Sequence, residues 1–165
     1  FVLAFGQLPE PAHRRLALEN DDTRFGVADT LWIHERTGVR LIFDNLHHHN
    51  FNPERRPLRE ALAACLATWP AEARPKVHFS SPRTEMRIAE QTDPETGRRV
   101  QLLQPPIWTR HSDYLHPFEF IAFLREAAGL RPFDVMLEAK AKDLALLRLR
   151  EDLLRYAPEL AGGII

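Results

Sequence analysis

Four short apolar runs, each closing on polar residues and each followed by a helix-like stretch, constrain what this chain can fold into more than any other feature. The runs are Leu16-Ala17-Leu18, Val39 to Phe43, Val77-His78-Phe79 and Phe133 to Leu137, and their lengths and polar bounds read as strands. Helical patterns lie at about 27–37, 57–69, 117–128 and 140–156, with Pro57 and Pro117 suited to first-turn positions. The order is a strand–helix unit repeated four times, which predicts a parallel sheet covered by helices on at least one face. In sheets of this kind, ligands sit at the carboxyl ends of the strands.

Four units make half of a closed (β/α)8 barrel of the TIM type, which usually takes about 250 residues, against the 165 present. A lone half would expose two parallel edges. The expectation is therefore an α/β chain forming a single partial TIM-barrel domain over 1–165, partnered by an N-terminal half-barrel that lies outside this sequence. Phe1-Val2-Leu3-Ala4-Phe5 has neither an initiator Met nor a basic start, and reads as a cut edge. The rhythm breaks between about 84 and 110, where Met86-Arg87-Ile88 and Val100-Gln101-Leu102 flank Asp93-Pro94-Glu95-Thr96-Gly97; an inserted β-hairpin arm is expected there. In the last helix Leu144, Leu147 and Leu154 are expected to form the packed face, and Gly162-Gly163 reads as a loose tail.

Hydrophobic residues make up 44% of the chain, enough for a core, while 22 Lys and Arg stand against 23 Asp and Glu for a net charge of -1. No global basic field marks the chain for nucleic acid or membrane, so a polyanion would have to be held by local cations. The single cysteine, Cys65, excludes an internal disulfide framework and fits a reducing compartment. No apolar run approaches the roughly 20 residues of a membrane span, and the expected location is the cytoplasm of a bacterial-type cell.

Each strand delivers an acid or an imidazole at its carboxyl end: Glu19, Asp44, His78 and Glu138. Any one of them alone reads equally well as a helix cap. Four in register point to a shared centre, where three carboxylates would repel unless a cation neutralised them. Carboxylates mixed with imidazole suit manganese, zinc or iron, and no thiolate competes, since Cys65 lies in a predicted helix. His47-His48-His49 is expected to be extended, with His47 turned inward as a second-metal ligand or an outer support, and His48 and His49 at the surface or facing substrate. His111 returns towards the same face after the arm, as a ligand or as a bystander. His13, His34 and His116 read as structural or exposed. Lys76, two residues before His78, is expected on the same side of its strand, where it either takes part in catalysis or forms a salt bridge.

Through these residues the sequence resembles the UV damage endonuclease family, relatives of metal-dependent AP endonucleases and sugar isomerases on TIM barrels. The likeness is carried by Leu16-Ala17-Leu18-Glu19-Asn20-Asp21-Asp22, Phe43-Asp44 through His47-His48, Lys76-Val77-His78, His111-Ser112-Asp113-Tyr114 and Leu137-Glu138-Ala139-Lys140-Ala141-Lys142-Asp143. The resemblance implies two or three divalent ions, manganese foremost with zinc or magnesium as alternatives. It implies hydrolysis of a phosphodiester in damaged double-stranded DNA, on the 5′ side of UV photoproducts or abasic sites, leaving a 3′-hydroxyl. Metal-ligand roles then fall on Glu19, Asp44, His47, His78, His111 and Glu138, and a catalytic or site-supporting role on Glu19 and Lys76. Arg55, Arg56, Arg83, Arg110, Lys140 and Lys142 are candidate phosphate contacts, with Arg83, Lys140 and Lys142 foremost. The hairpin arm is longer than the family interval between Lys-x-His and His-Ser-Asp-Tyr. A single-metal sugar isomerase or epimerase would present much the same order of acids and imidazoles; His47 and His111 discriminate, because a second or third ion needs both. A third reading is an inactive half-barrel interaction module.

Overall fold

The computed structural model describes residues 1–163. In chain order the elements are α1 (Val2–Phe5), α2 (Glu10–His13), β1 (Ala17–Glu19), α3 (Val27–Thr37), β2 (Arg40–Asp44), α4 (Asn45–Asn50), α5 (Leu58–Ala67), β3 (Lys76–Phe79), β4 (Pro82–Arg83), β5 (Arg87–Thr92), β6 (Arg99–Gln104), β7 (Ile107–His111), α6 (Pro117–Glu126), β8 (Asp134–Leu137), α7 (Asp143–Tyr156) and α8 (Pro158–Ala161). The four expected strands form one sheet of order β1-β2-β3-β8, parallel throughout. β1 and β2 sit a residue further along than their apolar runs, because Glu19 and Asp44 themselves enter the ladders, opposite Ile42 and His78, while β3 starts a residue earlier, at Lys76.

Period-two alternation gives the sheet two unlike faces. Leu18 pairs with Leu41, Phe43 with Val77, Val77 with Val135 and Phe79 with Leu137. This face meets the helices: Leu41, Phe43, Val77 and Phe79 are buried with Leu62, Leu66, Phe120, Phe123, Leu149 and Leu153 in one core. At about 1.5–3 kcal/mol for each large apolar side chain, burial on this face fixes the register. The opposite face carries Glu19, Asp44, Lys76, His78, Asp134 and Met136, and Met136 is 54% exposed. Among the described residues β1 and β8 each pair on one side only. No described helix is long and apolar enough to cross a membrane.

The segment between β3 and α6 leaves the sheet. β5 and β6 pair antiparallel from Arg87↔Gln104 to Thr92↔Arg99, closed by a turn in which Gly97 supplies φ +69°. β4 and β7 form a shorter antiparallel stem beneath this ribbon. Pro117 opens α6, whereas Pro57 sits at the N-cap of α5, one place before its first turn.

Two local expectations are corrected. His47, His48 and His49 lie on the short helix α4, not on extended chain. The side chain of Asp44 accepts the His47 amide at 2.7 Å and so starts a helix that apolar periodicity does not announce. On α7 the packed face is Ala145, Leu149, Asp152 and Leu153, while Leu144, Leu147 and Leu154 are 57%, 53% and 65% exposed. Leucines ring much of that helix, so two stripes compete; burial of the Ala145 stripe lets the helix approach the core closely. Gly162-Gly163 follows α8 in a turn, with the Gly163 amide 3.4 Å from the Leu160 carbonyl.

Candidate metal centre

Parallel pairing sets Asp44 beside His78 on the open face, at the carboxyl end of the sheet. Glu19 enters from the end of β1 and Glu138 from the residue after β8, its amide bonded to the Phe79 carbonyl at 2.9 Å. One ligand atom from each of Glu19, Asp44, His78 and Glu138 lies within 4.8 Å of the others. Nδ1 of His78 is 3.2 Å from Glu19 Oε1 and 3.4 Å from Glu138 Oε1. The expected convergence of these four residues is thus present in the geometry.

The flanking imidazoles extend the cluster in two directions. His47 Nδ1 lies 3.3 Å from Glu19 Oε1 and 3.8 Å from Asp44 Oδ1, and donates to the Asn20 carbonyl at 2.8 Å. That bond leaves Nε2 as the lone-pair nitrogen of the neutral ring. His111 Nε2 stands 3.6 Å from Glu138 Oε2. His48 turns away from the centre and is 5% exposed, its ring against Phe43 and its Nε2 3.0 Å from the Arg56 carbonyl. His49 is exposed. The neighbouring histidines are therefore divided by the helical turn into one facing the site, one in the core and one in solvent.

Electrostatics mark the cluster as unbalanced. Burial, with repulsion from Glu19 and Glu138, pushes the Asp44 carboxyl from 3.8 up to about 7, although the His47 amide and charge oppose the rise. Burial also acts against ionised Glu19, yet the imidazoles of His47 and His78 outweigh it and hold that carboxyl at about 2. Burial disfavours charge on His47 too, but Glu19 and Asp44 raise it to about 9. His78 is raised, chiefly by the Glu19 carboxylate. Two buried atoms here, Asp44 Oδ2 and His78 Nδ1, have no hydrogen-bond partner. Unpartnered buried polar atoms among converging acids are costly unless a cation takes their lone pairs, and three carboxylates with imidazole are a donor set for a divalent ion.

Sequence reading assigned no role to Asn20, which is 1% exposed and holds the site together. Its side chain accepts the Asp44 amide at 2.9 Å and donates to the Asp44 carbonyl at 3.1 Å, while its own carbonyl takes the His47 proton. An amide directly after the strand-end acid, in Leu-Glu-Asn-Asp-Asp, is the signal that could have found it. Lys76 lies on the same face as His78 but at the opposite end of the strand, half-exposed and ion-paired with Asp134. Arg83 corrects an expectation: it is 2% exposed, one Nη donating to the Pro105 carbonyl at 3.0 Å, so the guanidinium ties the arm's stem inward and offers no surface to a phosphate. Lys140 and Lys142 are exposed on the loop after Glu138, and Lys142 takes φ +50°, a strained backbone for a non-glycine residue.

Comparison with known proteins bears directly on this arrangement. The family model for UV-endonuclease UvdE matches residues 1–160. The UV DNA damage endonuclease of Halalkalibacterium halodurans is 33% identical over 159 residues, covering 94% of this chain and 43% of that protein. The protein of that name from Bacillus cereus strain G9842 is 34% identical over 164 residues, covering 96% and 45%. The crystal structure of SacUVDE superposes with a TM-score of 0.68 at 32% identity, over 93% of this chain and 44% of that one. The chain spans a little under half the length of these relatives, as half of a TIM-type barrel would. On sequence and on fold together, this chain belongs to the UV-endonuclease UvdE family.

Proposed function

We propose that the protein of which this chain forms part is a metal-dependent endonuclease that incises damaged double-stranded DNA, hydrolysing the phosphodiester on the 5′ side of UV photoproducts or abasic sites. The observation that carries this reading is the group of three carboxylates and an imidazole within 4.8 Å at the sheet's carboxyl edge, with Asp44 Oδ2 and His78 Nδ1 unpartnered. Glu19, Asp44, His78 and Glu138 would hold one divalent ion, manganese foremost with zinc or magnesium as alternatives. His47, beside Glu19, and His111, beside Glu138, would extend the set to a second or a third, with Glu19 shared. Such ions, when bound, supply a water of lowered pKa and positive charge for the phosphate and the leaving 3′-oxygen.

The chain's own residues do the positioning. Asn20 fixes the Asp44 backbone and the His47 tautomer, and the capped start of α4 aims His47 at Glu19. Lys76 acts as a supporting or catalytic cation on the site's face. Lys140, Lys142 and Arg110 contact phosphates at the mouth. The remaining strands would come from an N-terminal half-barrel joining the free edges of β1 and β8. A cavity of about 950 Å³ beside β8, lined by Phe120, Leu124, Phe133, Val135, Leu137 and Leu146 among others, supports a missing neighbour there. The protein acts on intracellular DNA.

The direct test uses the full-length protein on UV-irradiated plasmid, with manganese or with chelator. Nicking that depends on both irradiation and metal is expected; conversion of a sugar in place of nicking would favour the isomerase reading.

A further inference from the structure

The stem of the hairpin arm is irregular where it reaches the metal centre. Pro82 pairs with His111 and Arg83 with Ile107, so Trp108, Thr109 and Arg110 bulge from the ladder with no residues opposite them. Bulges beside active sites re-aim side chains. All three bulged residues are exposed, between half-buried Ile107 and His111, and the Trp108 indole is 60% exposed. The backbone beneath is clamped on two sides. Asn50 Nδ2, at the end of the helix that carries His47, donates to the Trp108 carbonyl at 3.3 Å, and the Ser112 amide donates to the Ser81 carbonyl at 2.9 Å. His111, the next residue after the bulge, places Nε2 3.6 Å from Glu138. An exposed indole on a clamped backbone, three residues before His111 and with a guanidinium two residues on, has no role in the core and none in ion binding.

We infer that the Trp108–Arg110 bulge is a nucleic-acid contact, in which the indole stacks on a base unstacked near the scissile phosphate and Arg110 pairs with the adjoining backbone. The occupant follows from continuity with the cluster that would bind the phosphodiester, and from the pairing of an aromatic face with a cation, the combination that holds unpaired bases. The inference rests on the nuclease reading and adds a base contact made by this half of the protein.

The test uses full-length protein and a duplex oligonucleotide carrying a single thymine photodimer. Trp108→Ala is expected to raise KM about tenfold while kcat at saturation stays near wild type, and Trp108→Phe to recover most of the loss. Arg110→Ala should lower the slope of log affinity against log salt by about one. Duplex binding should quench tryptophan fluorescence in the wild type and much less in Trp108→Phe. Equal quenching in both, or an unchanged KM in Trp108→Ala, would overturn the inference while leaving the nuclease reading intact. Failure of the wild type to bind or nick the duplex would overturn both.

Discussion

Replacing Asp44 by Asn separates what the fold needs from what the metal needs. The carboxyl is fully buried, its Oδ1 caps α4, and its Oδ2 has no partner. Its pKa is 3.8 when exposed and about 7 in the fold. Without metal the folded state therefore binds the extra proton, and Asp44 makes stability fall as pH rises from about 4 to about 7, by an amount on the order of 4 kcal/mol at about 1.4 kcal/mol per pH unit. Asn keeps the cap acceptor and removes the charge. In chelator, Asp44→Asn should be more stable than wild type at pH 7, the two converging towards pH 4. Denaturant titrations at intervals between pH 4.5 and pH 6.5 isolate this effect, because the contribution of Glu19, held at about 2, is complete above its ordinary 4.5, and His47, raised to about 9, loses its own only as pH climbs from about 6.5 upward. With manganese a hundredfold above its Kd the wild type should gain about 2.7 kcal/mol, and the variant less than half of that. A variant less stable than wild type in chelator at pH 7 would refute the reasoning, since the carboxylate would then be a net stabiliser without any cation.

Further outcomes follow from the same structure. Glu138→Gln, placed next to both His78 and His111, should reduce nicking far more than DNA binding; equal loss of both would make it a structural residue. Lys76→Met breaks a half-exposed pair with Asp134, worth about 0–1 kcal/mol, so denaturation midpoints should hardly move, and any large fall in nicking then assigns Lys76 to the chemistry. Burial pushes the Cys65 thiol up to about 12, so a thiol reagent at pH 8 should label it only as fast as the fold opens, with brisk native-state labelling contradicting that placement.

The sheet was legible because each strand shows its apolar run bounded by polar residues, and because an acid or an imidazole recurs near the carboxyl end of every strand. Other elements were hidden for physical reasons. α4 has almost no apolar pattern, with Asn45, three histidines and Asn50; it exists because Asp44 caps it and Leu46 and His48 are buried. The face of α7 was misread because Leu144, Leu147 and Leu154 obey helical spacing as well as the stripe that packs, and spacing alone cannot say which stripe has a neighbour. Charge makes Arg83 a candidate phosphate contact in the sequence, but the stem of the arm encloses it.

Core and acid–imidazole cluster are one specification, which explains why Glu19, Asp44, His78 and Glu138, scattered over 120 residues, were visible together in the sequence. The alternation that sends Leu41, Phe43, Val77 and Phe79 into the helices sends Asp44 and His78 to the other side. A slip of β3 by one residue would bury His78 among phenylalanines and turn Val77 to the open face, so hydrophobic burial enforces the ligand geometry without any energy from the ligands themselves. The reverse does not hold. Burying Asp44 beside Glu19 and Glu138 costs enough to move its carboxyl to about 7, a cost that the apolar face carries and that a bound cation would relieve. Register is thus set by packing, and the electrostatic strain left over is the part of the fold available for binding a divalent ion.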